Sequence, residues 1–269
     1  MMHSNHLAIK YRMYLLSSES KMRFKVTLFT LTTLLISFNL QAKLGVGIGF
    51  AKGQSPYRDV DSNPNTIPGY LSYEGSKGYF RGIEGGVYLW SQGERGKKLT
   101  LSLLAAGRLE GYKASDSGYL SGMKTRQWSL DAGAGATLQR GFNRYTAKVL
   151  TDTLGRHKGQ SFDLGYAYVF PATSKLLLIP GANVTWQSTN LLDYYFGVTN
   201  NEAQVVRNAY KAKDGVQLRA SLLTSYKVSP STSFTLLVTT RKLAKSVTAS
   251  PLVDRNYLSG VFGALNYSF

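Results

Sequence analysis

Trp128-Ser129-Leu130-Asp131-Ala132-Gly133-Ala134-Gly135-Ala136-Thr137-Leu138-Gln139 decides the fold. Trp128, Leu130, Ala132, Ala134, Ala136 and Leu138 share one side of a period of two. Ser129, Asp131, Gly133, Gly135, Thr137 and Gln139 share the other. Successive side chains of a strand point to opposite faces, so this is a strand with one greasy face and one small or polar face.

The same alternation recurs on both sides of it. Leu99, Leu101, Leu103 and Ala105 oppose Thr100, Ser102, Ala106 and Arg108. Phe162, Leu164, Tyr166, Tyr168 and Phe170 oppose Asp163, Gly165 and Ala167. Val216, Leu218, Ala220 and Leu222 oppose Gln217, Arg219 and Ser221. These runs are longer than the usual soluble strand of about five or six residues. They match the about 9–11 residues that a tilted strand needs to cross a bilayer. Short turns at 140–143, 171–174 and 229–231 alternate with long polar connections at 111–125, 189–214 and 245–255. Outer-membrane barrels have short periplasmic turns and longer external loops.

The pattern predicts an all-β, antiparallel transmembrane barrel. Its strands fall near 44–51, 78–90, 97–110, 126–139, 143–153, 160–170, 175–188, 215–228, 232–244 and 256–269, an even set of ten. Segment 67–75 is also strand-like, which leaves twelve as the alternative. Aromatic residues collect at the strand ends: Tyr166, Tyr168, Phe170, Tyr226, Phe234, Tyr267 and Phe269 toward the short turns, and Trp128, Phe162, Trp186 and Tyr257 toward the long loops. Amphipathic rings form such girdles at the two membrane interfaces.

Export is written at the front. Met22-Arg23-Phe24-Lys25 is a short basic segment, Val26 to Phe38 is apolar, and Asn39-Leu40-Gln41-Ala42 ends on a small residue. That order is a secretory signal peptide with cleavage after Ala42. The apolar run, about 13 residues, is too short for a spanning helix, which needs about 20. Residues 1–42 therefore form an N-terminal extension and signal peptide, and 43–269 the barrel. The start codon is Met1 or Met22. At the other end Val261, Gly263, Leu265, Tyr267 and Phe269 alternate with Phe262, Ala264, Asn266 and Ser268. The terminal positions Leu265, Tyr267 and Phe269 resemble the signal read by the barrel-assembly machinery. Localisation is thus the outer membrane of a Gram-negative cell.

The chain has 32 Lys+Arg, 15 Asp+Glu and no cysteine. Stability must come from a core or a membrane and not from disulfides. Setting aside the five bases and one acid of 1–42 leaves 27 against 14, a net +13. The outer loops carry Lys113, Lys124, Arg126, Arg207, Lys211, Lys213, Lys245 and Arg255, a cationic rim suited to the anionic groups of lipopolysaccharide. Lipid and lipopolysaccharide are the expected surroundings, and nucleic acid is not an expected partner. Glu84, Arg108, Glu110, Asp131, Lys148, Asp163, Arg219, Lys227 and Arg241 fall on lumen-facing positions. Buried charges are costly unless paired, which predicts Arg108, Arg219 and Arg241 against Glu84, Asp131 and Asp163. His157 is the only histidine beyond residue 42, and no nucleophile or acid is spaced with it as a catalytic motif. No metal-ligand spacing and no phosphate-cradling glycine loop is present, so no enzyme, metal or cofactor is expected.

Four segments carry a resemblance. Ser55-Pro56-Tyr57-Arg58 follows the first strand. Tyr73-Glu74-Gly75 precedes Phe80-Arg81-Gly82. Tyr194-Tyr195-Phe196-Gly197 lies in the longest loop, and Ser250-Pro251 sits before the last strand. In this order and spacing they resemble the MipA/OmpV family of outer-membrane proteins. The resemblance implies a non-catalytic barrel, with one member type described as a scaffold joining a lytic murein transglycosylase to a peptidoglycan synthase. Other members are described as adhesins or porin-like proteins. It brings no catalytic residues. Read as chemistry alone, Tyr73, Glu74, Arg81 and Glu84 pack and hydrogen-bond inside the barrel.

Overall fold

A strand with one apolar and one polar face can lie in lipid only if its backbone groups are all paired, and a sheet achieves that by closing on itself. The computed structural model describes residues 43–60, 65–94 and 96–269, with the side chains of 43 and 65–69 outside that description. The expected signal peptide and its boundary after Ala42 lie outside the described residues, as does Arg95.

The strands are β1 (Lys43–Gly53), β2 (Asn65–Glu74), β3 (Gly78–Arg81), β4 (Glu84–Glu94), β5 (Lys97–Arg108), β6 (Ser129–Arg140), β7 (Asn143–Asp152), β8 (Gln160–Tyr168), β9 (Phe170–Pro171), β10 (Leu176–Gln187), β11 (Gly215–Lys227), β12 (Thr232–Lys242) and β13 (Tyr257–Ser268). Neighbours pair antiparallel. The ring closes where β13 meets β1, with Ser268 opposite Gly45 and Gly260 opposite Gly53, and β10 pairs β11 as well as β8. Twelve strands make the barrel. The two-residue β9 takes up the end of β10 that β8 leaves unpaired.

The count of ten is therefore corrected to twelve. Segment 65–74 is a full strand, and the expected single strand 78–90 is two. The chain reverses at Gly82-Ile83, where Gly82 has φ +66°, and Arg81 faces Glu84 across the turn. That left-handed conformation costs little only for glycine. β3 is short, so the wall here is a low hairpin. Its turn is held by Gly82 N–H to Leu71 O and Gly107 N–H to Ile83 O.

Side-chain exposure fixes which face meets lipid. Ile48, Leu103, Trp128, Leu138, Leu164, Val184, Leu222 and Leu265 are exposed, while Ala106, Arg108, Asp131 and Gln187 on the opposite faces are buried. The aromatic positions assigned to the two girdles all project outward. Nearer the short turns the lumen departs from the expected polar filling: Ile179, Leu223, Leu237 and Phe262 are buried against Tyr70 as an apolar layer. These residues occupy the inward positions of strands β10 to β13, where their outward neighbours are apolar too. Strands buried on both faces lose the alternation that marks the others.

One consequence concerns Ala134, exposed at mid-strand in β6. Ala134→Arg is expected to destabilise the barrel by about 2–4 kcal/mol in bilayer refolding titrations. Arginine accepted at Ala134 and rejected at Thr137 and Gln139 would mean that the faces are inverted.

Candidate functional site

The long loops do not spread into solvent. They fold over the outer mouth around an apolar core of their own. Thr189–Phe196 forms helix α1, and Lys245–Thr248 a single turn, α2. In α1 Leu191, Leu192, Tyr195 and Phe196 recur at helical spacing, so they lie on one face. All four are buried, and they meet Tyr57, Tyr112, Leu120, Val247 and Leu252 from other loops. Burying a side chain of this size is worth about 1.5–3 kcal/mol.

Three of the four resemblance segments meet in this cap. Ser55 Oγ accepts from Tyr57 N–H at 3.2 Å, shaping the turn around Pro56. Tyr57 pairs with Val253, its hydroxyl donates to Tyr195 O at 3.4 Å, and its ring stacks on Phe196. Arg58 N–H donates to Leu252 O, and its guanidinium lies over the Tyr119 ring. Ser250 Oγ donates to Phe196 O at 2.7 Å, just before Pro251. Tyr195 donates to Gln127 O, and Tyr194 accepts from Gln127 N–H. Gly197 ends α1, where any side chain would run into Asp193. Burial pushes the Tyr57 and Tyr195 phenols well above their usual range, so both stay neutral.

Two loop cations expected at the solvent rim are instead structural. Arg126 and Glu202 form a buried ion pair at 3.0 Å. Arg207 is wholly buried, and its guanidinium donates to the carbonyls of Tyr119, Ser121 and Glu202. The turn that Arg207 anchors carries Val205 and Val206 out into solvent, 101% and 70% exposed. Burial acts to raise the Glu202 pKa, but the Lys124 and Thr199 N–H groups, the Thr199 hydroxyl and Arg126 outweigh it, holding the carboxyl at about 2 instead of 4.5. A carboxylate depressed on folding stabilises above its unfolded pKa and loses that contribution as pH falls through the folded one. The cap should therefore loosen between pH 4.5 and about 2 while the barrel persists. Hydrogen exchange on 199–207 at pH 6 and pH 3 measures this, and unchanged protection would contradict it.

The fourth segment lies low in the wall. Arg81 pairs with Glu74 at 2.6 Å, and the Tyr88 hydroxyl donates to the same carboxylate. Tyr73 and Phe80 face outward, so Tyr73 does not pack inside as expected. A side chain at Gly75 would meet the Tyr73 ring.

The lumen charges pair, though not wholly as expected. Arg108 does meet Asp131, at 2.7 Å, and also approaches Glu110. Arg241 pairs with Glu110 at 3.0 Å. Glu84 takes Lys148 at 2.6 Å and the Tyr79 hydroxyl. Asp163 accepts from Asn183 and Thr185. Glu110 and Lys148, both read from the alternation as lumen-facing, enter these pairs although the expected pairing did not include them.

His157 in the turn after β7, Asp152 at the end of β7 and Asp131 on β6 bring carboxylate and imidazole atoms within 4.8 Å of one another. Every one of these groups is engaged. Gly159 N–H donates to His157 Nδ1, so the ring proton sits on Nε2, which meets Asp131 Oδ1 at 2.9 Å. Asp131 also holds Arg108, and Asp152 accepts the N–H groups of Leu154, His157 and Lys158. Neither imidazole nitrogen is free to take a proton from a substrate. The guanidinium occupies the charge balance that a cation would need.

The family model described as MltA-interacting protein MipA matches residues 46–269. The chain belongs to this family. A MipA relative, the MltA-interacting protein of Escherichia coli (strain K12), is 29% identical over 85% of this chain and 91% of its own. Another, the outer membrane protein OmpV of Vibrio cholerae, is 25% identical over 60% of this chain and 63% of its own. Among solved structures, an outer-membrane channel from Pseudomonas putida F1 covers 87% of this chain and 97% of its own at 14% identity, with a TM-score of 0.46. The family match and its outer membrane protein relatives give the outer-membrane location, and the closed antiparallel sheet is the β-barrel.

Proposed function

We propose that this protein is a non-catalytic scaffold whose periplasmic end docks a murein-remodelling enzyme of the lytic transglycosylase class. The carrying observation is that loops with a common core cover the outer mouth while the short-turn end stays exposed and basic. Exposed Lys97, Lys98 and Arg140 cluster where β5 meets β6, with Lys97 opposite Arg140. The printed name of the Escherichia coli relative, MltA-interacting protein, supports a transglycosylase partner. The engagement of both His157 nitrogens supports a role without catalysis. A peptidoglycan synthase would be a further partner on the same face. Exposed cations of the cap, such as Lys113 and Lys124, would meet lipopolysaccharide.

The test is affinity capture from a periplasmic extract with detergent-folded protein, beside a variant with Lys97, Lys98 and Arg140 changed to glutamate. Capture of a murein-cleaving enzyme by the native protein and its loss from the variant is expected. Equal capture by both would refute docking at this face.

A second reading is surface attachment, and the projecting Val205-Val206 turn favours it. Whole-cell binding to host matrix should fall in Val206→Ser if this reading holds.

A further inference from the structure

The lumen contains a cavity that the ion pairs above do not fill. It is a small space, about 30 Å³, between β7, β8, β10, β11 and β12, and it is open on one side. Arg144 of β7 and Arg219 of β11 line it from different sides, together with Thr146, Asn183, Ser221 and Thr239.

Two glycines make the room. Gly165 and Gly181 lie on adjacent strands, with Gly181 opposite Ala167 and Gly165 opposite Asn183. A side chain at Gly165 would collide with Thr146 and Asn183, and one at Gly181 would stand 3.1 Å from Ser221 Oγ.

Donors share the lining with apolar surface from Tyr166, Ala167 and Leu237. Thr239 is 7% exposed, and its hydroxyl has no hydrogen-bond partner. Buried polar groups are almost always bonded, so such a hydroxyl marks the place of something that bonds to it. Arg144, whose Nε donates to Gln139 Oε1 at 2.9 Å, is one of the residues that line the cavity. The neighbouring charges are largely spent on one another: Glu74 on Arg81, Glu84 on Lys148, Glu110 on Arg241. Asp163, one step outward from Gly165 on the same face, is held by Asn183 Nδ2 at 3.1 Å and Thr185 Oγ1 at 2.6 Å. The Arg144 and Arg219 guanidiniums and the hydroxyls of Thr146, Ser221 and Thr239 line the space, with Ser221 Oγ also donating to Gly181 O at 3.5 Å.

We propose that this cavity is a lumenal binding site for a small oxyanion of phosphate-like chemistry. Guanidinium and hydroxyl donors converging in a partly enclosed space bind such groups through charge-assisted hydrogen bonds. A cation would face two like charges there. The site does not depend on the docking role, since it faces inward and that role uses the exposed rim.

The probe is inorganic phosphate, titrated at low salt against the full folded chain in detergent micelles and followed by calorimetry and ³¹P line broadening. One saturable site is expected. Arg144→Gln should weaken it at least tenfold and Thr239→Val several-fold. Ser221→Leu, which fills the space, should remove it while the barrel keeps its heat-modifiable mobility. Replacing Lys97 and Lys98 with glutamine should leave it unchanged. If Arg144→Gln does not fold, Thr239→Val and Ser221→Leu decide the matter. No saturable phosphate, as when water alone occupies the cavity, overturns the proposal. So does binding that survives Ser221→Leu, or that disappears only with the rim lysines.

Discussion

Replacing Arg108 with methionine is expected to cost about 3–5 kcal/mol, the usual loss when one partner of a buried ion pair is removed. Arg108 reaches Asp131 through Nε at 2.8 Å and Nη2 at 2.7 Å, and its Nη1 stands 3.6 Å from Glu110. Both carboxylates are buried and neither can rotate into water, so a neutral residue of similar volume leaves each with less than its full compensation. The cost therefore comes from the stranded charges and not from lost packing. That distinction can be measured. Urea unfolding in micelles, followed by heat-dependent gel mobility, should show Arg108→Met strongly destabilised. Adding Asp131→Asn should restore a substantial part of the loss. A single-variant cost under about 1 kcal/mol would place the pair among weak surface bridges.

Changing Phe269 to aspartate is expected to abolish assembly almost completely while leaving export intact. Phe269 is 73% exposed, its N–H donates to Leu44 O, and its ring meets Tyr267 edge to face at 5.0 Å. A charge at the membrane interface costs a barrel only about 0–1 kcal/mol. Stability alone would leave most of the protein folded. A near-total loss of heat-modifiable protein from the outer membrane would thus point to recognition of the terminal strand during assembly. Normal amounts of assembled Phe269→Asp barrel would show that Leu265, Tyr267 and Phe269 serve lipid contact only.

The faces of most strands were legible because lipid contact imposes strict alternation, and Trp128 to Leu138 displays it without a break. The hairpin at Gly82 was not. Tyr79 and Arg81 face the lumen from odd positions whereas Glu84 does so from an even one, with Val87 and Leu89 outward, so the alternation changes phase across Gly82-Ile83, and that shift beside a glycine was the mark of the reversal. The inner apolar layer around Phe262 was hidden for a different reason, since those strands are apolar on both sides near the short turns. The cap could have been anticipated. Leu191, Leu192, Tyr195 and Phe196 recur at helical spacing inside a loop otherwise read as polar. What the sequence could not supply was the pairing of Glu110, just past the end of β5, with Arg241 on β12, which meet only after closure.

The shared core of the cap changes what the outside world can recognise. Surface loops of a barrel are usually separate ribbons, each free to vary, and each able to present a short linear stretch to an antibody or a phage. Here Tyr57, Tyr112, Tyr195 and Leu252 come from four different loops and are buried against one another. A binder raised against the intact surface would read a composite of several loops, and a synthetic peptide copying any single loop should compete poorly with it. Drift under immune pressure is confined by the same arrangement. Insertions are tolerable at projecting points such as Val205-Val206, whereas a change beneath them disturbs every loop at once.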